Sequence, residues 1–396
     1  MDIKKATEAT AEQVIKWRRD LHRIPEIGND LPQTSKYVQN CLKEMNIPFI
    51  TMVNGSGILA TVTGAGAGKT IALRADMDGL PLTEEAPVDF KSVNKNMHAC
   101  GHDAHTAILL GAAKILNDNK SEINGTVKLI FQPGEESPGG AQPMIDEGAL
   151  KGVDAVFAQH IGSLFSDINE SGKIVVSHTS AMACRDAFKI KIIGRGGHGA
   201  SPEDSIDPIA IGMQVIGGVY MIKARELSAL DPAVISICMV HAGSANNIIP
   251  MTMEIEGTTR SLSAQTRQRI ATRIEQVLKS TCEAHGAAYE FDFIRGYDIT
   301  VNNPDMADFV IKAAQDLGYG NDVLLQPAPL MGSEDMSFFL GEVPGAYYFL
   351  TSVVKQDSQV FGHHHPRFML DESVFQKGVA VFVQIVQNYL GKSNNR

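Results

Sequence analysis

At 396 residues and 44% hydrophobic content the chain is longer than one core normally sustains, so two domains are expected. Its 45 acidic against 35 basic residues leave a formal charge of −10, which favours solubility and argues against nucleic acid or anionic membrane as partners. Five cysteines, an odd count with wide spacing (Cys41, Cys100, Cys184, Cys238, Cys282), exclude a secreted disulfide scaffold and fit a reducing cytoplasm.

The N-terminus is polar and carries no signal-like apolar stretch. Glu12 to His22 reads as a first helix with Thr10 as its cap, and roughly Ser35 to Met45 as a second. Strand-like runs follow at Ile58 to Val62 and Thr70 to Arg74. Between them, Gly64 to Thr70 imitates a phosphate-binding loop. That motif needs a glycine five positions before its Gly-Lys pair, and Thr63 stands there, so a flexible hairpin turn is expected instead.

Met97-His98-Ala99-Cys100-Gly101-His102-Asp103-Ala104-His105 then packs one thiol, three imidazoles and a carboxylate into nine residues. A lone buried His or Cys is usually a packed core residue, but this density points to a held ion. In an extended segment Cys100 and His102 would face the same way, anchored by a helix from Thr106 to Leu116. The strand-like run Thr126 to Phe131 leads into Gln132-Pro133-Gly134-Glu135-Glu136, and the run Asp154 to His160 ends on an imidazole. His363-His364-His365-Pro366 adds imidazoles in a turn near the C-terminus. Ligand types recurring at strand ends mark the edge where open α/β sheets gather their sites. Two adjacent glutamates can divide the work, one binding metal and the other accepting the proton of an activated water.

From about Asp186 the order becomes strand 187–193, helix 208–224, strands 233–240 and 251–259, helix 264–285 and strand 288–293, a ferredoxin-like β-α-β-β-α-β pattern. Residues 206–222, the most apolar window, contain Asp207, Pro208 and Gln214 and read as a buried helix, not a membrane span. The expected fold is α/β: a mixed sheet covered by helices over 1–185 and 296–396, interrupted by an inserted α+β domain over 186–295.

Several motifs carry a resemblance to a known family. Arg18-Arg19-Asp20-Leu21-His22, Leu73 to Pro81, Met97 to His105, Phe131 to Glu136, Gly196-Gly197-His198, Asn247 to Pro250, Gly257 to Arg260, Ser333-Glu334-Asp335 and His364-His365-Pro366 occur in the order found in M20 metallopeptidases. The chain resembles the amidohydrolase branch, which includes hippurate hydrolases, indole-acetyl-amino-acid hydrolases and N-acyl-amino-acid amidohydrolases.

That resemblance implies a site for two divalent ions made by Cys100, His102, Glu136, His160 and His364, with Glu135 as general base. His364 is chosen because the family's His stands two positions before the Pro, and His363 and His365 remain open. Asp76, Asp78 and Asp103 are expected to orient ligands from behind. A thiolate among imidazoles and a carboxylate suits zinc, manganese is equally expected, and cobalt or nickel would fit. The resemblance also implies His198 as oxyanion donor and Asn247, Arg260 and Gly332 as substrate-binding residues. Arg260 would grip a free carboxylate through paired hydrogen bonds. The inserted domain would act as lid and dimer contact, giving a homodimer. The implied activity is hydrolysis of N-acyl amino acids or small peptides, with dipeptidase or carboxypeptidase action on the same site as the alternative. A zinc nucleobase deaminase would need a Cys-x-x-Cys motif, which the chain lacks. A non-catalytic binding protein would have no use for the base at 135.

Overall fold

The parallel strands that position the site are continuous apolar runs such as Val127, Leu129, Ile130 and Phe131, all fully buried, as a sheet covered on both faces requires. The computed structural model describes residues 1–326 and 328–391. It divides into two compact units, one formed by 1–181, 301–328 and 335 onward, the other by 182–300 and 329–334. The boundaries expected at 186 and 295 lie within five residues of the chain's crossings, but the segment 329–334 belongs with the second unit.

The first unit holds an eight-stranded mixed sheet in the order Phe49–Met52, Gly57–Thr63, Asn124–Gln132, Gly66–Asp76, Ala155–Gly162, Gly345–Thr351, Ile174–Val176, Val323–Leu325. Asn124–Gln132, Gly66–Asp76, Ala155–Gly162 and Gly345–Thr351 run parallel, so Asp76, Gln132 and His160 arrive at one edge. Helices Ile3–His22, His102–Asp118 and Phe375–Leu390 pack on one another. They approach closely at Gly111, where a Cβ would lie 2.7 Å from Val14 Cγ2 and 2.9 Å from Val379 Cγ2.

Several expected boundaries shift. The first helix begins at Ile3, capped by Asp2 accepting from the Lys5 N–H, while the Thr10 hydroxyl donates back to the Ala6 carbonyl inside the helix. The glycine run is no flexible turn. Gly66 starts the strand to Asp76, and Gly64 and Gly68 press against the backbone of 123–125, where a Cβ would approach to 2.2 and 2.4 Å.

The second unit has an antiparallel sheet ordered Ala233–Ala242, Thr252–Ser261, Cys184–Ile193, Ala288–Arg295. With helices Pro208–Met221 and Ala264–Ala284 this is the ferredoxin-like order. Asp207 caps the first of these helices by accepting from the Ile209 N–H at 2.8 Å. Phe188, Ile190, Ile192, Val215, Ile255, Ile274 and Leu278 form its core. No helix among the described residues is long and apolar enough to cross a membrane.

Candidate metal centre

The turn that builds the site depends on Gly101, whose φ of +93° ends the extended approach and starts the helix at His102. This corrects the extended register expected for Cys100 and His102: His102 opens the helix, four residues earlier than expected. The approach itself is held by reciprocal backbone bonds between Leu80 and Met97, both 2.9 Å. A second constraint is Gly162, where a Cβ would sit 2.1 Å from His363 Nε2.

Among the described residues, four groups of possible ligand atoms gather, each with its atoms within 4.8 Å of one another: Cys100, His160 and His363; Cys100, His102 and Glu136; Asp76, His102 and His105; and Glu135, Glu334 and Asp335. Cys100 is shared by the first two. His160 donates from Nδ1 to the Ile161 carbonyl at 3.1 Å, which turns Nε2 toward Cys100 Sγ at 3.5 Å. His102 donates from Nδ1 to Asp78 at 3.2 Å, leaving a buried Nε2 without a hydrogen-bond partner among the described residues. Both ring nitrogens of His363 are likewise buried and unpartnered. Buried polar atoms are nearly always satisfied, so these converging lone pairs fit a pair of divalent cations.

The electrostatics agree. Burial and neighbouring imidazoles lower the pKa of His160 far below its ordinary value and that of His363 to about 3, so both are neutral donors. Burial also lowers His102, but Asp76, Asp78 and Glu136 outweigh it and raise the pKa to about 10, a measure of how strongly this edge favours positive charge. The Cys100 thiol is pushed up by burial and by Glu136 and Glu135, so a bound cation must displace its proton.

The ligands are held from behind. Besides His102, Asp78 accepts the N–H groups of Glu135 and Glu136, both at 3.0 Å, and so ties three site residues to one carboxylate. Asp76 accepts from Arg74 at 2.7 Å and from His105 Nδ1 at 2.5 Å. Glu135 is buried, its Oε2 3.9 Å from His102 Nε2.

The sequence did not single out the network behind these contacts. Arg74, fully buried, donates to Gln132 at 2.9 Å, Asp76 at 2.7 Å and Asp335 at 2.8 Å. Asp335 accepts in turn from Gln132 and from the Gly140 and Ala141 N–H groups, bracing the loop that carries Glu135 and Glu136. All three lie in or beside quoted motifs, but nothing in their spacing shows that they meet. His105 has both nitrogens engaged, Nδ1 with Asp76 and Nε2 accepting the Ile161 N–H at 2.9 Å, although it also groups with Asp76 and His102.

Two expectations change. The His363 ring, not that of His364, joins Cys100 and His160. His364 is 53% exposed at a φ of +63°, its Nε2 3.0 Å from Glu136 Oε1. The left-handed turn at His364 rotates successive side chains to different sides, which counting from Pro366 does not reveal. Asp103 faces away from the ligands. It pairs with Arg18 at 2.8 Å and His22 at 2.7 Å, which hold its pKa far below the ordinary range despite burial.

In the second unit, His198 is exposed on a short strand opposite Ile248, and its Nδ1 accepts the Ala200 N–H at 3.0 Å, leaving the proton on Nε2. Exposed Asn247 accepts the Gly199 N–H through its carbonyl. Arg260 is half-buried, with Nη1 buried and unpartnered. Gly332 is exposed on the segment 329–334, where its carbonyl accepts the Ala183 N–H.

A model of peptidase family M20/M25/M40 matches residues 72–388. Thermostable carboxypeptidase 2 of Saccharolobus solfataricus is 38% identical over 395 residues, 98% of each chain. The N-acyl-L-amino acid amidohydrolase of Geobacillus stearothermophilus is 40% identical over 303 residues, 76% of this chain and 81% of its own. Among solved structures, the YXEP protein of Bacillus subtilis, described as a dinuclear metal binding peptidase, has a TM-score of 0.83 at 32% identity over 97% of this chain and 99% of its own. Matches that extend over almost the whole chain and converge on donors arranged for two cations make it a member of peptidase family M20, a metal-dependent hydrolase.

Proposed function

We propose that the chain hydrolyses the amide bond of N-acyl amino acids bearing a free α-carboxylate, using Cys100, His102, Glu136, His160 and His363 to hold two divalent cations, zinc or manganese. The observation that carries this reading is the pair of ligand groups sharing Cys100, with the buried Glu135 carboxylate beside them. Two divalent ions supply Lewis acidity, which makes water a nucleophile near neutral pH and polarises a carbonyl. Glu135 accepts the proton that the attacking water loses and passes it to the departing amine nitrogen, so the broken C–N bond leaves a carboxylate and an amine. His198 donates from Nε2 to the oxyanion as it develops, and Arg260 holds the α-carboxylate, with Asn247 and Gly332 contributing to the substrate site.

Glu135→Gln should retain both ions, measured by elemental analysis, while losing at least about a hundredfold in kcat. Unchanged turnover would remove Glu135 from this role. Carboxypeptidase action at the same site is the second reading, favoured by the thermostable carboxypeptidase that matches at full length. A panel of N-acetyl, N-benzoyl and N-indoleacetyl amino acids beside dipeptides, with zinc, manganese and cobalt each supplied, separates the two. Failure to cleave any of them would leave a binding protein.

We place the enzyme in a reducing cytoplasm, in keeping with five free cysteines, and read it as a homodimer. The strand Ala233–Ala242 lies at a sheet edge and exposes Met239 and Val240, and the nearby helix exposes Met213 and Tyr220. Sedimentation as a monomer at micromolar concentration would remove the dimer.

A further inference from the structure

The outward face of the second unit's sheet changes in charge from one end to the other. Its cross-strand rows are Glu290, Lys191 and Glu254, then Asp292, Lys189 and Glu256, then Ile294, Ala187, Thr258 and Ser236, and last Arg185, Arg260 and Val234. The first two rows are acid-rich and internally paired, with Lys189 3.3 Å from Glu256 and Lys191 4.0 Å from Glu290. The last row holds two guanidiniums and no acid.

Residues directly opposite in an antiparallel pair have Cβ atoms about 5 Å apart, and like charges there repel. Arg185 and Arg260 are such a pair. Arg260 also buries a guanidinium nitrogen that no group among the described residues accepts from, and burial followed by the charge of Arg185 lowers its pKa. Asp186, adjacent in sequence, is turned to the other face, where Arg267 holds it at 2.6 and 2.9 Å. A row carrying two uncompensated positive charges matches a ligand carrying two negative ones.

Resting on the reading of Arg260 above, we propose that Arg185 and Arg260 bind the two carboxylates of an acidic amino-acid conjugate, Arg260 the α-carboxylate and Arg185 that of the side chain. The site selects N-acyl derivatives of glutamate or aspartate over their uncharged amides, because each guanidinium makes charge-assisted hydrogen bonds that an amide cannot match.

The test compares kcat/KM for N-acetylglutamate and its isosteric partner N-acetylglutamine on the metal-loaded enzyme. The wild type should favour glutamate by about tenfold or more, the loss expected for one charged hydrogen bond. Arg185→Gln should shrink that ratio about tenfold, with metal content unchanged. Lys189→Gln, on the same face but in an acid-rich row, should leave the ratio as it was. Equal hydrolysis of the two substrates by the wild type, hydrolysis of neither, or a parallel loss on both in Arg185→Gln would each overturn the proposal. The underlying reading fails separately: if Arg260→Ala impairs N-acetylglutamine no more than its α-amide, Arg260 does not hold the α-carboxylate.

Discussion

At the scale of the residue, the site illustrates how little a side chain's identity says about its task. Three imidazoles lie within eight positions, and their hydrogen bonds separate them. His105 has both nitrogens occupied by Asp76 and Ile161, His98 is buried with neither nitrogen bonded, and His102 joins Cys100 and Glu136 with its Nε2 free of hydrogen bonds. The same reasoning distinguishes His363 from His364. His363→Ala should abolish binding of one ion or weaken it at least a hundredfold, and His364→Ala should change affinity less than about tenfold, both by competition dialysis against a chelator. The reverse order would restore His364 as the ligand. Cys100, His102, Glu136 and His160, which the sequence marks because they cluster or sit at strand ends, come together in groups sharing Cys100. Sequence reading missed Arg74, Gln132 and Asp335, which are 58 and 261 positions apart along the chain from Arg74 yet joined by hydrogen bonds.

At the scale of the element, strands were legible because buried parallel strands are short apolar runs between turn residues. The helix that opens at His102 was foreshortened because its first turn is rich in polar and metal-binding side chains, and the positive φ of Gly101 that permits the start is invisible to periodicity. Gly111 is where the three packed helices of the first unit constrain one another. Alanine there gains about 1 kcal/mol in helix propensity, but its methyl would collide with Val14 and Val379, whose branched side chains have little freedom to move. Overpacking costs typically 1–3 kcal/mol, so with the propensity gain subtracted Gly111→Ala should be net destabilising by up to about 2 kcal/mol in denaturant unfolding. A stabilised variant would show that the three helices move apart freely.

At the scale of the whole molecule, the first unit fastens its N-terminal helix to the site-bearing helix through a buried charge cluster. His22 lies between Asp103 at 2.7 Å and Glu84 at 3.0 Å. Burial and Arg18 lower its pKa, but the two carboxylates prevail and the net shift is upward. A raised folded pKa means that the stabilisation is fully present below the unfolded value of about 6.5 and is lost as pH rises through the folded one. Stability should therefore fall on the alkaline side with a slope of up to about 1.4 kcal/mol per pH unit, and His22→Gln should flatten that limb. Parallel profiles for the two proteins would show that His22 titrates alike folded and unfolded.

The order of motifs along the chain was enough to determine the family, the class of chemistry and the mixed α/β fold, because each is written locally as a cluster, a strand end or a period. Tertiary structure alone decided which of three consecutive histidines turns inward, that Asp103 serves the charge cluster and not the ligands, and that Arg74 and Asp335 brace the site. Those outcomes depend on one left-handed turn and on contacts between distant segments, and neither backbone handedness nor long-range proximity leaves a mark in local spacing.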